Sequence, residues 1–169
     1  MNDDQKQRPT SVEQWLAVGR SVLQQRPFSR LSGTELSAWN GRPCTLEGCR
    51  ARARARGRAR ARRFGLALRP GLLQQNGFAH GGVVSCLADN ALTNAGGAAL
   101  GGVGVVRSEF ELNDVRPAVG KRLVARASTA ASSPTQAVCR CDVFAIEDGA
   151  EKLCAVAQGS LVRLAREAA

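Results

Sequence analysis

Gln74-Gln75-Asn76-Gly77-Phe78-Ala79-His80-Gly81-Gly82-Val83-Val84-Ser85-Cys86-Leu87-Ala88-Asp89-Asn90-Ala91-Leu92-Thr93 is the stretch on which the reading of this chain turns. It begins as a loop carrying Gly77 and the single His of the chain, then changes period. From Gly82 to about Leu100, the residues Val83, Val84, Leu87, Ala91, Leu92, Ala95 and Ala98 recur at three- and four-residue spacings. That is the pattern of a helix with one apolar stripe. Two glycines at its start leave the first N–H groups uncovered. A helix start offers free donors and a partial positive charge, which suits a polarised carbonyl or a developing oxyanion. Asp89 is an acid inside this apolar helix, a costly position unless the group is paired, solvated or functional. Thr93 stands one turn further on the same face, within reach of the carboxylate; it can equally bond back to its own helix.

The spacing carries a further consequence. Asp89 lies eight residues beyond Gly81, roughly 12 Å along a helix. A base or nucleophile must come within about 3 Å of the reacting atom or its water. If both groups are catalytic, they cannot serve the same carbonyl within one chain, and the acid must come from a second subunit across a two-fold axis.

Upstream, Val12 to Gln24 reads as a short helix capped by Ser11 and ended by Pro27. Phe28 to Trp39 reads as the entry to a first strand, closed by the turn signal Asn40-Gly41. Cys49 to Arg63 alternates Arg and Ala, broken only by Gly57. Period two is a strand pattern, but a run of like charges also repels itself, so a long, poorly ordered hairpin or loop is expected there. Phe64 to Leu68 resumes a strand and Arg69-Pro70-Gly71 turns out of it. Downstream of Gly101-Gly102, strands are expected over Val103–Val115, Arg122–Ala131, Gln136–Ile146 and Lys152–Leu164, separated by turn chemistry at Arg116–Gly120, Ser132–Pro134 and Glu147–Gly149. Strands, one long helix and four more strands make an α+β pattern: an antiparallel sheet packed on a central helix. The domain is expected over 28–165, with an Arg/Ala-rich insert at 49–63, behind a helical extension at 1–27.

Composition narrows the function. A chain of 169 residues, 44% hydrophobic, can bury a core without metal or disulfide staples. Aromatic residues reach only 4% and Tyr is absent, which opposes base stacking on aromatic platforms. The net charge of +10 falls to +2 once the eight arginines between Arg50 and Arg63 are set aside. The basicity therefore describes one segment, and no specific nucleic-acid partner is expected. The N-terminus has no apolar run of a secretory signal, and Ala95 to Val106 is too short and Gly-rich for a bilayer span; a cytoplasmic protein without a membrane partner is expected. None of the six cysteines forms a Cys-x-x-Cys pair and one His is available, so neither a metal site nor any other cofactor is expected. Cys139 and Cys141 share one face of a strand and read as small buried hydrophobes.

His80-Gly81-Gly82 followed by Leu87-Ala88-Asp89 resembles the PaaI-type thioesterases of the hotdog superfamily. The likeness extends over about Leu31 to Leu164, apart from the Arg-Ala insert, with Gln74 six residues before the His, Val115-Arg116-Pro117-Ala118 and Gly120 downstream, and Ala157-Gln158-Gly159 near the end. The resemblance implies a hotdog fold, hydrolysis of a small aromatic or medium-chain acyl-CoA, and a homodimer or dimer of dimers. It implies that the Gly81 N–H polarises the thioester carbonyl, that His80 shapes the turn, and that Gln74 contacts the carbonyl or orients the nucleophile. Asp89 would act as nucleophile or general base from the opposite subunit, and Thr93 would bond the attacking water or the acid. Gly82, Asn76 and Arg107 would contact substrate. Arg107 stands where relatives commonly carry a small hydroxyl residue, and Asp114 where many carry an aromatic; both are expected near the acyl pocket. A hotdog module that binds acyl-CoA without hydrolysing it is the competing expectation.

Overall fold

The computed structural model describes residues 11–39, 62–102 and 104–164. The helix α1 spans Val12–Gln25 and opens on a capping box: the Ser11 hydroxyl accepts from the Gln14 N–H while the Gln14 side chain accepts from the Ser11 N–H. Two orphan donors at the helix start are satisfied reciprocally. A second helix, α2, covers Pro27–Ser32 and ends on Gly33 in the left-handed conformation. The first strand, β1, is therefore only Glu35–Trp39, which corrects the reading of Phe28–Trp39 as strand throughout. Pro27 does close α1, but at the first position of a helix its fixed φ and missing N–H cost nothing, so it also starts the next.

Strand β2 spans Arg62–Ala67, beginning two residues earlier than expected, because Arg62 and Arg63 pair with Ala127 and Arg126 of the neighbouring strand. The turn at Asn40-Gly41 and the alternating run as far as Ala61 lie outside the described residues. A short 3-10 turn at Pro70–Leu72 leads to the long helix α3, Gly81–Ala99. Four strands follow: β3 (Val105–Asp114), β4 (Arg122–Ser132), β5 (Gln136–Glu147) and β6 (Ala150–Arg163). The β5–β6 hairpin turns through Asp148 and Gly149, both at positive φ, as a two-residue loop matching the twist of its strands requires.

Among the described residues, six strands form one antiparallel sheet in the order β1-β2-β4-β5-β6-β3. Helix α3 packs on its concave face, against β4, β5 and β6 above all. Every residue of the apolar stripe read from the sequence is buried. The sheet answers at period two: Leu123, Ala125 and Ala127 on β4, then Cys139, Cys141 and Val143 on β5, point at the helix and are nearly inaccessible. Small residues set the spacing of the layers. A Cβ on Gly96 would fall 2.5 Å from Leu161 Cγ on β6, so the glycine permits the approach. Strand β3 ends the sheet, and most of its ten residues are exposed or half-exposed. Among the described residues, no helix is long and apolar enough to cross a membrane.

Candidate active site

The loop before α3 is pinned at its base. Leu73 bridges Ala79; the Gln74 N–H donates to Phe78 O at 2.9 Å, and the Gly77 N–H returns to Gln74 O at 2.9 Å. The His80 N–H bonds Leu72 O at 2.9 Å and the Ala79 N–H bonds Ala118 O at 3.0 Å, tying the loop to the turn after β3. Gly77, at φ +81, closes the loop in a conformation that side chains disfavour. Gln74 is half-buried at the base, whereas Asn76 is exposed at the tip.

His80 is the N-cap of α3: its Nδ1 accepts from the Gly82 N–H at 3.0 Å. A Cβ on Gly82 would meet that nitrogen at 3.2 Å, so the glycine leaves room for the ring; around Gly81 a Cβ would meet nothing within 4 Å. Gly81 is the first residue of the helix, where no intrahelical acceptor exists for the N–H, and it is exposed. The helix thus presents an uncovered donor to open space, beside a His that caps the next N–H.

Eight residues along, a second cluster forms. The Thr93 hydroxyl donates to Asp89 Oδ1 at 3.3 Å, and Arg107 Nη1 on β3 makes an ion pair with the same oxygen. Both contacts fall on Oδ1. Thr93 is buried, while the Asp89 and Arg107 side chains keep 35% and 37% of their accessibility, so the acid is reachable. Arg107 also lies over the Phe110 ring at 4.6 Å, which holds the guanidinium against the strand it comes from.

Within one chain the residues singled out from the sequence therefore fall into two groups. Gln74, Asn76, His80, Gly81 and Gly82 surround the start of α3; Asp89, Thr93 and Arg107 meet roughly 12 Å along it. Asp114 joins neither. It ends β3 seven residues beyond Arg107, roughly 23 Å away along a strand. The Arg107–Asp89 pairing was not visible in the sequence, since it depends on β3 lying across the sheet from its position in the chain.

Among the described residues, the cysteines are poor nucleophiles. Burial pushes the Cys139 and Cys141 thiols up to about 11 and about 12, and the Cys154 thiol up as well. Cys86 on α3 is raised by burial and then by the Asp89 charge, so it too stays a thiol at neutral pH. Among the described residues, no group of three or more His, Cys, Asp or Glu is placed to hold a metal ion.

An antiparallel six-stranded sheet wrapped on one long helix is the hotdog fold. Residues 76–152 match the model of the thioesterase superfamily, and this stretch contains the helix start, Asp89, Thr93 and Arg107. A thioesterase family protein from Silicibacter pomeroyi superposes with a TM-score of 0.68 at 24% identity, covering 89% of this chain and 98% of its own. The PaaI protein from the phenylacetic acid degradation operon of E. coli gives 0.70 at 15% identity, over 92% and 97%. A thioesterase of Haemophilus influenzae gives 0.68 at 22% identity, over 93% and 92%. No curated protein sequence is significantly similar to this chain. The protein has the hotdog fold, and within it residues 76–152 are similar to the thioesterase superfamily.

Proposed function

We propose that the protein is an acyl-CoA thioesterase that hydrolyses a small aromatic or medium-chain acyl-CoA in a site shared by two subunits. The observation that carries this reading is the carboxylate of Asp89, engaged through one oxygen by Thr93 and by Arg107 of β3, and carried on the helix that begins with an uncovered Gly81 N–H. The thioester carbonyl oxygen takes the Gly81 N–H, where the positive end of the helix offsets the charge it gains. Gln74, at the base of the pinned loop, orients the carbonyl or the nucleophile, and Gly82 and Asn76 flank the incoming substrate. Asp89 Oδ2 takes a proton from water as that water adds to the carbonyl carbon, or adds to the carbon itself to give an acyl-Asp that water then opens. In either route the carbon–sulfur bond breaks, the thiolate leaves as CoA after protonation, and the acyl group departs as a carboxylic acid. No cofactor enters these steps.

If donor and acid act on one carbonyl, the distance along α3 requires them to come from different subunits, so we take the working unit to be a homodimer or a dimer of dimers. The long terminal strand β3, with ten residues along an open edge, is a surface that a second copy could extend. A cytoplasmic location suits the free cysteines Cys86, Cys139, Cys141 and Cys154. The charge concentrated in residues 50–63 gives non-specific attraction to polyanions and no sequence reading of nucleic acid.

The ion pair of Arg107 with Asp89 favours a second reading, a module that binds acyl-CoA without hydrolysis, because a carboxylate engaged by a guanidinium is a weaker nucleophile. Thiol release from a panel of aromatic, medium-chain and long-chain acyl-CoAs separates the two. Release that depends on enzyme concentration is expected; tight binding of the same panel with no release would establish the binding module instead.

A further inference from the structure

A cleft of about 220 Å³ runs between α1, α3 and the start of β3, and the chemistry above leaves it unused. Its α1 wall is made by Trp15, Val18, Gly19 and Val22, spaced as one face of a helix. Trp15 is buried, but Val18 and Val22 keep 41% and 39% exposure among the described residues, as apolar side chains on the cleft wall. Gly19 lets α1 come close, since a Cβ there would lie 2.6 Å from Leu36 Cδ2 on β1. The lining is mixed: Arg26, engaged by Asn90 Oδ1 at 3.0 Å, and Thr93 and Asn94 add polar groups beside the apolar side chains.

The opposite wall connects the cleft to Asp89. Thr93, whose hydroxyl holds Asp89 Oδ1, also lines the cleft, and Gly97 lines it one turn further. Asp89, Thr93 and Gly97 succeed one another at intervals of four, so they lie along one face of α3. A chain starting at a carbonyl beside Asp89 would meet Thr93 and then Gly97, the two cleft-lining residues that follow it on that face. We infer that this cleft is the acyl compartment of the Asp89 site, and that α1 is the wall that sets the length of the acyl group. The inference rests on the thioesterase reading and adds the substrate limit to it. A cavity of ~150 Å³ holds one benzene ring, so this one accepts a single ring on a short linker or a straight chain of roughly eight carbons. An amphipathic helix read from the sequence as an extension to the domain becomes its selectivity element.

The test is a ladder of straight-chain acyl-CoAs from two to sixteen carbons, read as kcat/KM by thiol release, and as Kd with the Asp89→Asn protein. Each methylene buried should raise kcat/KM by about fourfold, and the climb should stop near eight carbons. Val22→Trp, placed at a position with room to accept it, should shorten the ladder and cut the octanoyl-to-butanoyl ratio by at least about tenfold. Val22→Ala should carry the climb about two carbons further. Gln24→Trp, on an exposed position of α1 away from the cleft, should leave the profile unchanged. A ladder that climbs on to sixteen carbons, or one that both Val22 variants leave as it was, overturns the assignment of the cleft while the thioesterase reading stands. No thiol release from any rung, with no binding to the Asp89→Asn protein, overturns the thioesterase reading itself.

Discussion

At the start of α3 the groups offered to a ligand are backbone N–H donors, exposed, uncharged and fixed by a loop with hydrogen bonds at its base. Eight residues later they are side chains of opposite charge, half-exposed, meeting across two elements of structure. The first region is made by what is missing: two glycines and an N-terminus that has no acceptors of its own. The second is made by what is added, an acid that the apolar helix tolerates because Thr93 and Arg107 engage it. The difference dictates how each is broken. Backbone donors survive every side-chain swap except one that blocks them, whereas an acid can be removed with no change of shape.

The largest effect should therefore come from the second region. Asp89→Asn keeps the size of the side chain and removes the charge, and kcat should fall by about 10²–10⁴, the range for a positioned acid–base group. Steady-state thiol release checks it; near-native turnover would remove Asp89 from the chemistry. Combining the two regions sharpens the comparison. Gly81→Leu projects into open space, so it should block the donor without unfolding the chain. Alone, this protein and Asp89→Asn should each show no more than residual turnover. Refolded together in equal amounts they should recover about a quarter of wild-type activity, because half the dimers are mixed and each has one intact site. Absence of recovery, with subunit exchange shown by differently tagged chains, would place donor and acid in one subunit.

Arg107→Ser should change kcat by no more than about fivefold, since an ion pair this exposed contributes ~1 kcal/mol or less. A rise would mean that Arg107 restrains the nucleophile, a fall that it aligns it; a loss as large as that of Asp89→Asn would make Arg107 a member of the reacting set. The smallest effect belongs to the first region. His80→Ala removes the acceptor for the Gly82 N–H, a cap worth about 1 kcal/mol, and Tm should fall by about 3 °C with kcat within about threefold. His80→Asn, which can cap, should restore Tm in a thermal melt. A kcat loss that His80→Asn fails to repair would give the imidazole a chemical role.

Much of this was readable along the chain because it is local. The stripe from Val83 to Ala98 is periodic, the Asp89–Thr93 contact follows from a spacing of four, and Asp148-Gly149 carries the backbone preference of its own turn. What was not readable depends on distance in sequence. Arg107 reaches Asp89 only because β3 lies at the end of the sheet beside β6, a register that no local pattern encodes. Helix α2 was missed because Phe28 and Leu31, its large apolar side chains, are exposed at 59% and 67%, so their apolar character mimics a strand entry while burying nothing. The role of α1 was invisible because an amphipathic face does not say whether it meets a core or a cavity.

Gly96 has a mechanical consequence. The contact that a Cβ would destroy, 2.5 Å from Leu161, seats α3 on the sheet between Thr93 and the helix end. A helix seated there behaves as a rigid beam: lift the seat by one methyl group and the acid, the hydroxyl and the distant amino end all shift together. Alignment of both chemical regions is thus inherited from a residue that touches no substrate, and the tolerance of the whole site for error is the tolerance of one close-packed joint.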